Sequence, residues 1–93
     1  KTPDFVMRVG NFKAAVEVKF VGFCLDRLRT QICTAAKQLE GYNYRILHIH
    51  TFPKNVQHIK NLLDGVGRWP WYIHEIVIFV AGEVCEKIYR TRN

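Results

Sequence analysis

Apolar positions along the chain fall into two rhythms, and the places where one gives way to the other divide it into seven elements. Residues 5–9 (FVMRV) and 12–23 (FKAAVEVKFVGF) are rich in β-branched and aromatic residues, and Gly10-Asn11 between them suits a tight hairpin. In the second run Val16, Val18 and Phe20 alternate with Glu17 and Lys19, which predicts a strand with the first set buried and the second in water. From Asp26 the spacing becomes three and four. Leu25, Leu28, Ile32, Ala35, Ala36 and Leu39 lay one apolar stripe along a helix, with Asp26 as its N-cap and Gly41 as its stop.

Residues 42–52 (YNYRILHIHTF) return to period two and read as the central strand. Ile46, His48, His50 and Phe52 fall on one face, and Arg45, Leu47, Ile49 and Thr51 on the other. Pro53 ends that strand and suits the first turn of a second helix, whose stripe is Val56, Ile59, Leu63 and Val66 and which Gly65 and Gly67 close. A loop at 67–71 (GRWPW) leads to residues 72–81, whose continuous IVIFVA run predicts a strand covered on both faces. Ala81-Gly82-Glu83 is a turn. Residues 84–92 alternate as a strand, although Glu83/Lys87 and Glu86/Arg90 would also support a helix; a short turn after a buried strand favours the hairpin.

The order β-β-α-β-α-β-β predicts an α/β (α+β) two-layer sandwich: a mixed sheet of four to five strands with two helices on one face, spanning residues 1–93 as a single small basic domain. This topology is similar to that of Alba-type proteins and of the C-terminal domain of bacterial translation initiation factor 3, a resemblance of element order over residues 14–92 that implies a small basic RNA-binding fold. A ferredoxin-like arrangement is the alternative.

Composition narrows the partners more than the fold. Of 93 residues 48% are hydrophobic, as in globular chains, and 14 Lys+Arg against 8 Asp+Glu leave a net charge of +6, which favours a polyanion. Cys24, Cys33 and Cys85 contain no CxxC pair and cannot all pair within one chain. They therefore read as small apolar residues of a reducing, intracellular compartment. The longest apolar run, residues 76–81, is far short of the roughly 20 residues that span a bilayer.

Two sets of residues carry candidate chemistry. Arg27, Arg45, Lys54, Lys60, Arg68, Arg90 and Arg92 could neutralise phosphates while Trp69 and Trp71, in a loop stiffened by Pro70, stack on unpaired bases. The expectation that follows is a non-catalytic nucleic-acid-binding domain, with RNA the favoured ligand and a ribonucleoprotein subunit the favoured setting. A protein-interaction or dimerisation module is the second expectation. The other set is His48-Ile49-His50, two imidazoles on one side of a strand, a spacing that can hold a metal. It resembles the histidine pair of the HUH single-strand nicking endonucleases. That resemblance implies Glu40 as third metal ligand and Tyr89 as nucleophile on a late helix, and a strand at 84–92 would break its geometry. No Gly-rich phosphate loop or nucleophile triad is visible, and no cofactor is expected.

Overall fold

The computed structural model describes residues 3–22, 25–65 and 73–89. Strands β1 (Phe5–Val9) and β2 (Phe12–Phe20) precede helix α1 (Leu28–Gln38), strand β3 (Tyr44–Thr51), helix α2 (Pro53–Gly65), and strands β4 (Glu75–Val80) and β5 (Glu83–Tyr89). The five strands form one sheet in the order β1-β2-β3-β4-β5. Both outer pairs are antiparallel hairpins, whereas β2-β3 and β3-β4 are parallel. A parallel neighbour cannot be reached by a tight turn, so each parallel pair needs a crossover, and α1 and α2 supply them.

Two crossovers of the usual right hand, stepping the same way along the sheet, put both helices on one face. The core agrees: Leu28, Ile32, Ala35, Ala36 and Leu39 from the α1 side and Ile59 and Leu63 from α2 form one cluster with Ala15, Leu47, Ile49, Ile76 and Ile78. Those strand residues all share one face by alternation. Full burial of each large aliphatic side chain contributes roughly 1.5–3 kcal/mol. On the opposite face no helix of the described residues lies over the sheet; His48, His50 and Phe79 meet there, and Val77 is shielded between its ladder neighbours His48 and Lys87.

Local details refine the expected boundaries. Gly10 alone carries positive φ in its hairpin, the pattern of a type II′ turn. The α1 N-cap is Arg27, without a side-chain cap bond, in place of Asp26; Gly41, at φ 95°, follows two residues after the C-cap Leu39. Residues 84–89 are strand, as the turn argument favoured, with Cys85 as the extra residue of a bulge where the register shifts between Ile78 and Phe79. Cys33 and Cys85 are exposed, so neither serves as a small core residue; Cys24 lies outside the described residues, as do Phe23, Val66, Gly67 and Tyr72. No helix of the described residues is long and apolar enough to cross a membrane.

A buried polar clamp ties the parallel strands to the second helix. Thr51 Oγ1 donates to the Val21 carbonyl at 2.8 Å, and Asn55 Nδ2 donates to the Gly22 carbonyl at 2.7 Å and to Thr51 Oγ1 at 3.0 Å. Both residues are buried, and their bonds satisfy carbonyls that have just left the β2 ladder.

At the β4-β5 turn, Ala81 (φ 54°) and Gly82 (φ 80°) both adopt left-handed backbone, the type I′ pattern that favours Asn at the first position. Ala81→Asn is therefore expected to raise stability by about 0.5–1 kcal/mol, read as a shift of the urea midpoint at unchanged slope.

Candidate metal centre

The two-residue turn at Gly10-Asn11 sets the ladder Val9↔Phe12, Met7↔Ala14 and Phe5↔Val16, and Asp4 lies one residue beyond its end, in a bend. The Asp4 carboxylate is held there: Oδ2 accepts a 2.8 Å hydrogen bond from the Val18 backbone N–H. The hairpin thus brings the Asp4 side chain to the backbone of the residue that follows Glu17.

Glu17 departs from the expected pattern. Alternation predicted Glu17 in water and Phe20 buried, yet Glu17 is 4% exposed and Phe20 is 65% exposed. The cause is where the helices sit: Ala15, Glu17 and Lys19 point to the helix-bearing face, and Phe20 to the open one, where it meets Phe52 edge-on. Lys19 Nζ lies 3.4 Å from Glu17 Oε2, while Glu17 Oε1 is buried without any hydrogen-bond partner. An orphaned buried polar atom costs about 1–3 kcal/mol, and a charged one more.

The unmet oxygen, the neighbouring Asp4 carboxylate and the Lys19 ammonium form an incomplete polar set. A hard divalent cation would complete it, because Mg²⁺ takes oxygen ligands and is usually held by one or two carboxylates together with water and substrate phosphate. Among the described residues no three His, Cys, Asp or Glu side chains gather to hold a metal. A cation at Asp4 and Glu17 would accordingly keep positions for water and substrate.

The residues expected from sequence are dispersed. Arg27 is exposed at the start of α1 and Lys54 at the start of α2. Arg45 is half-buried, its guanidinium donating to the Tyr42 carbonyl, and Lys60 pairs with Glu86 at 3.6 Å. Arg68, Trp69, Trp71, Arg90 and Arg92 lie outside the described residues. His48 and His50 do share a face, each against Phe79 with ring centroids 4.9 and 4.5 Å apart. Glu40 does not join them in a metal-binding group, and Tyr89 stands on the edge strand β5, opposite Glu75, where the resemblance implied a helix.

The sequence reading missed Asp4, Glu17 and Lys19. The signal was available: an acid before the first strand, a two-residue turn, and Glu-x-Lys at the position that the turn's register sets against it. No family model, curated protein or solved structure matches the chain.

Two outcomes follow for stability. Glu17→Leu fills the same space without the unmet charge, so the protein in chelator is expected to gain about 1–2 kcal/mol in urea unfolding; a loss instead would make the Glu17–Lys19 pair a structural ion pair. The second concerns His48, whose pKa is lowered by burial first and then by the neighbouring His50 and by Lys87, against the opposing charge of Glu75. The unfolded chain then binds more protons than the folded one. This contribution to stability is complete above the ordinary pKa of 6.5 and is lost as pH falls through the lower folded value. His48→Gln should flatten the fall of Tm on acidification from neutral pH.

Proposed function

We propose that this chain is a divalent-metal-dependent phosphodiesterase domain acting on nucleic acid. The observation that carries the reading is the buried Glu17 carboxylate, with Oε1 unpartnered and Oε2 beside Lys19, while Asp4 is bonded to the backbone of the following residue. Burying a carboxylate and leaving it incomplete is costly for a structural residue and useful for a ligand of a cation that arrives with its substrate. The net charge of +6 favours a polyanionic substrate. The nucleic-acid partner expected from composition is retained, and a metal is added where the sequence patterns suggested none.

Each group has a distinct task. Asp4 and Glu17 would hold the cation, whose chemistry is to polarise a phosphoryl oxygen and to lower the pKa of bound water. Lys19 is placed to stabilise the negative charge that builds on the phosphate oxygens. The oxygen of water forms a bond to phosphorus, the ester P–O bond breaks with its electron pair, and the departing sugar oxygen takes up a proton. The water's proton is lost to solvent. One strand is cut into two, without oxidant or covalent enzyme intermediate.

A protein-binding reading has its own support in β1. Phe5, Met7 and Val9 are 61, 57 and 76% exposed on a strand that no strand of the described residues pairs on its outer side, a template for strand addition. Concentration-independent sedimentation as a monomer argues against it.

The test is cleavage of end-labelled DNA and RNA, single- and double-stranded, with Mg²⁺ or Mn²⁺. Cleavage is expected with metal and none in chelator. Glu17→Gln and Asp4→Asn should each lower kcat by about 100-fold or more, and Lys19→Ala by a similar factor, while circular dichroism stays native. Activity that survives Glu17→Gln would sink the proposal.

A further inference from the structure

Away from the candidate metal centre, the same hairpin presents a second unusual pair. Arg8 on β1 and Lys13 on β2 are direct cross-strand partners and therefore lie on the same face. Like charges so placed repel, and neither side chain has an ion-pair partner among the described residues; Lys13 Nζ sits 5.7 Å from the centroid of the Tyr42 ring, a contact that leaves its charge unneutralised. Arg8 is exposed and Lys13 half-buried. By alternation Lys13, Ala15, Glu17 and Lys19 form one row of β2, so the cation pair and the acid pair share a face. The β1 part of that face is uncovered, with Val6 37% exposed between Arg8 and Asp4.

Resting on the phosphodiesterase reading, we infer that Arg8 and Lys13 grip the backbone of the substrate strand at a distance from the phosphate being cut, so that the uncovered β1 margin of that face is the substrate track. Charge decides the occupant: a phosphodiester backbone supplies the anion that relieves the Arg8–Lys13 repulsion, and the same backbone is what Asp4, Glu17 and Lys19 would act on. Geometry sets the spacing. Four residues of strand separate Asp4 from Arg8 and Lys13 from Glu17, about 13 Å at the rise of a β-strand. That spans roughly four nucleotides of a stacked strand at 3.4 Å each, and fewer of an extended one. The contacts reach phosphate and not base edges, so the track grips without selecting sequence.

The experiment compares the wild-type chain with the double variant Arg8→Thr/Lys13→Thr, whose threonines suit strands and remove a repulsive pair. Substrates are a dinucleotide and a series of longer DNA and RNA oligonucleotides, assayed with Mn²⁺. For the wild type, kcat/KM is expected to step up once the strand is long enough to reach the cation pair. In the double variant that step disappears through KM, with kcat and dinucleotide cleavage unchanged, and the logarithmic salt slope of binding falls by about one per cation removed. Lys87→Thr, a charge lost from the opposite sheet face, serves as control. An unchanged length step, or an equal effect in the control, overturns the track.

The two readings fail separately. Absence of cleavage by the wild type removes the phosphodiesterase reading, and retention of labelled strands without metal then decides the track. Weaker retention and a lower salt slope in the double variant alone uphold it, and equal retention by all three proteins removes it. Comparing the DNA and RNA arms shows which sugar the gripped backbone carries.

Discussion

Parallel pairing of β2, β3 and β4 is the constraint from which the architecture follows. Parallel neighbours require crossovers, the crossovers are the two helices, and their common hand sends both to one side of the sheet. That choice gives β2 two unlike faces. The helix-bearing face buries Ala15 and Glu17, and the other leaves Phe20 beside Phe52 and the histidines beside Phe79. The edge strand β1 gains no helix of its own and stays exposed along its whole length. A carboxylate pointing toward the core at the margin of an uncovered strand is the product of this geometry.

Two side-chain oxygens of the described residues, Glu17 Oε1 and Gln38 Oε1, are buried without a hydrogen-bond partner, and only the first belongs to an acid. Folding takes the Glu17 carboxylate out of water and returns one neighbour, Lys19, to one of its oxygens. Thr51 and Asn55, the other buried polar side chains, have their hydrogen bonds and hold the chain as it leaves β2. A fully met network pins the exit of β2, while one Glu17 oxygen earlier in the same strand is left unmet.

Much of the fold was legible because each element carries an unmistakable period or punctuation: the α1 stripe, Pro53 at the start of α2, and the turns at Gly10-Asn11 and Ala81-Gly82. Alternation also sorted β3 correctly, with Leu47 and Ile49 in the core and His48 and His50 on the other face. On β2 it held for Val16, which is buried, but failed for Glu17 and Phe20, because both faces of that strand bury residues and apolarity alone does not say which positions the helices cover. Period two says which residues share a face but not which face the helices cover. The candidate site was hidden for a related reason, since Asp4 and Glu17 look unrelated until a turn register joins them. The histidine pair drew attention because its members are adjacent in the chain, and proximity in sequence is the weaker guide to a site built across strands.

The Thr51–Asn55 clamp gives the hairpin two tiers of rigidity. Glu17 and Lys19 stand on a strand that pairs on both sides and is pinned at its exit, whereas Asp4 enters a strand held by one ladder alone. Amide protection should therefore fall from β2 to β1, since outer strands open at lower free energy than those locked into a core. A cation shared by Asp4 and Glu17, as proposed, would bridge the two tiers. Its arrival would fasten the outer strand to the rigid one, so that ligand occupancy and the closure of β1 would become a single equilibrium.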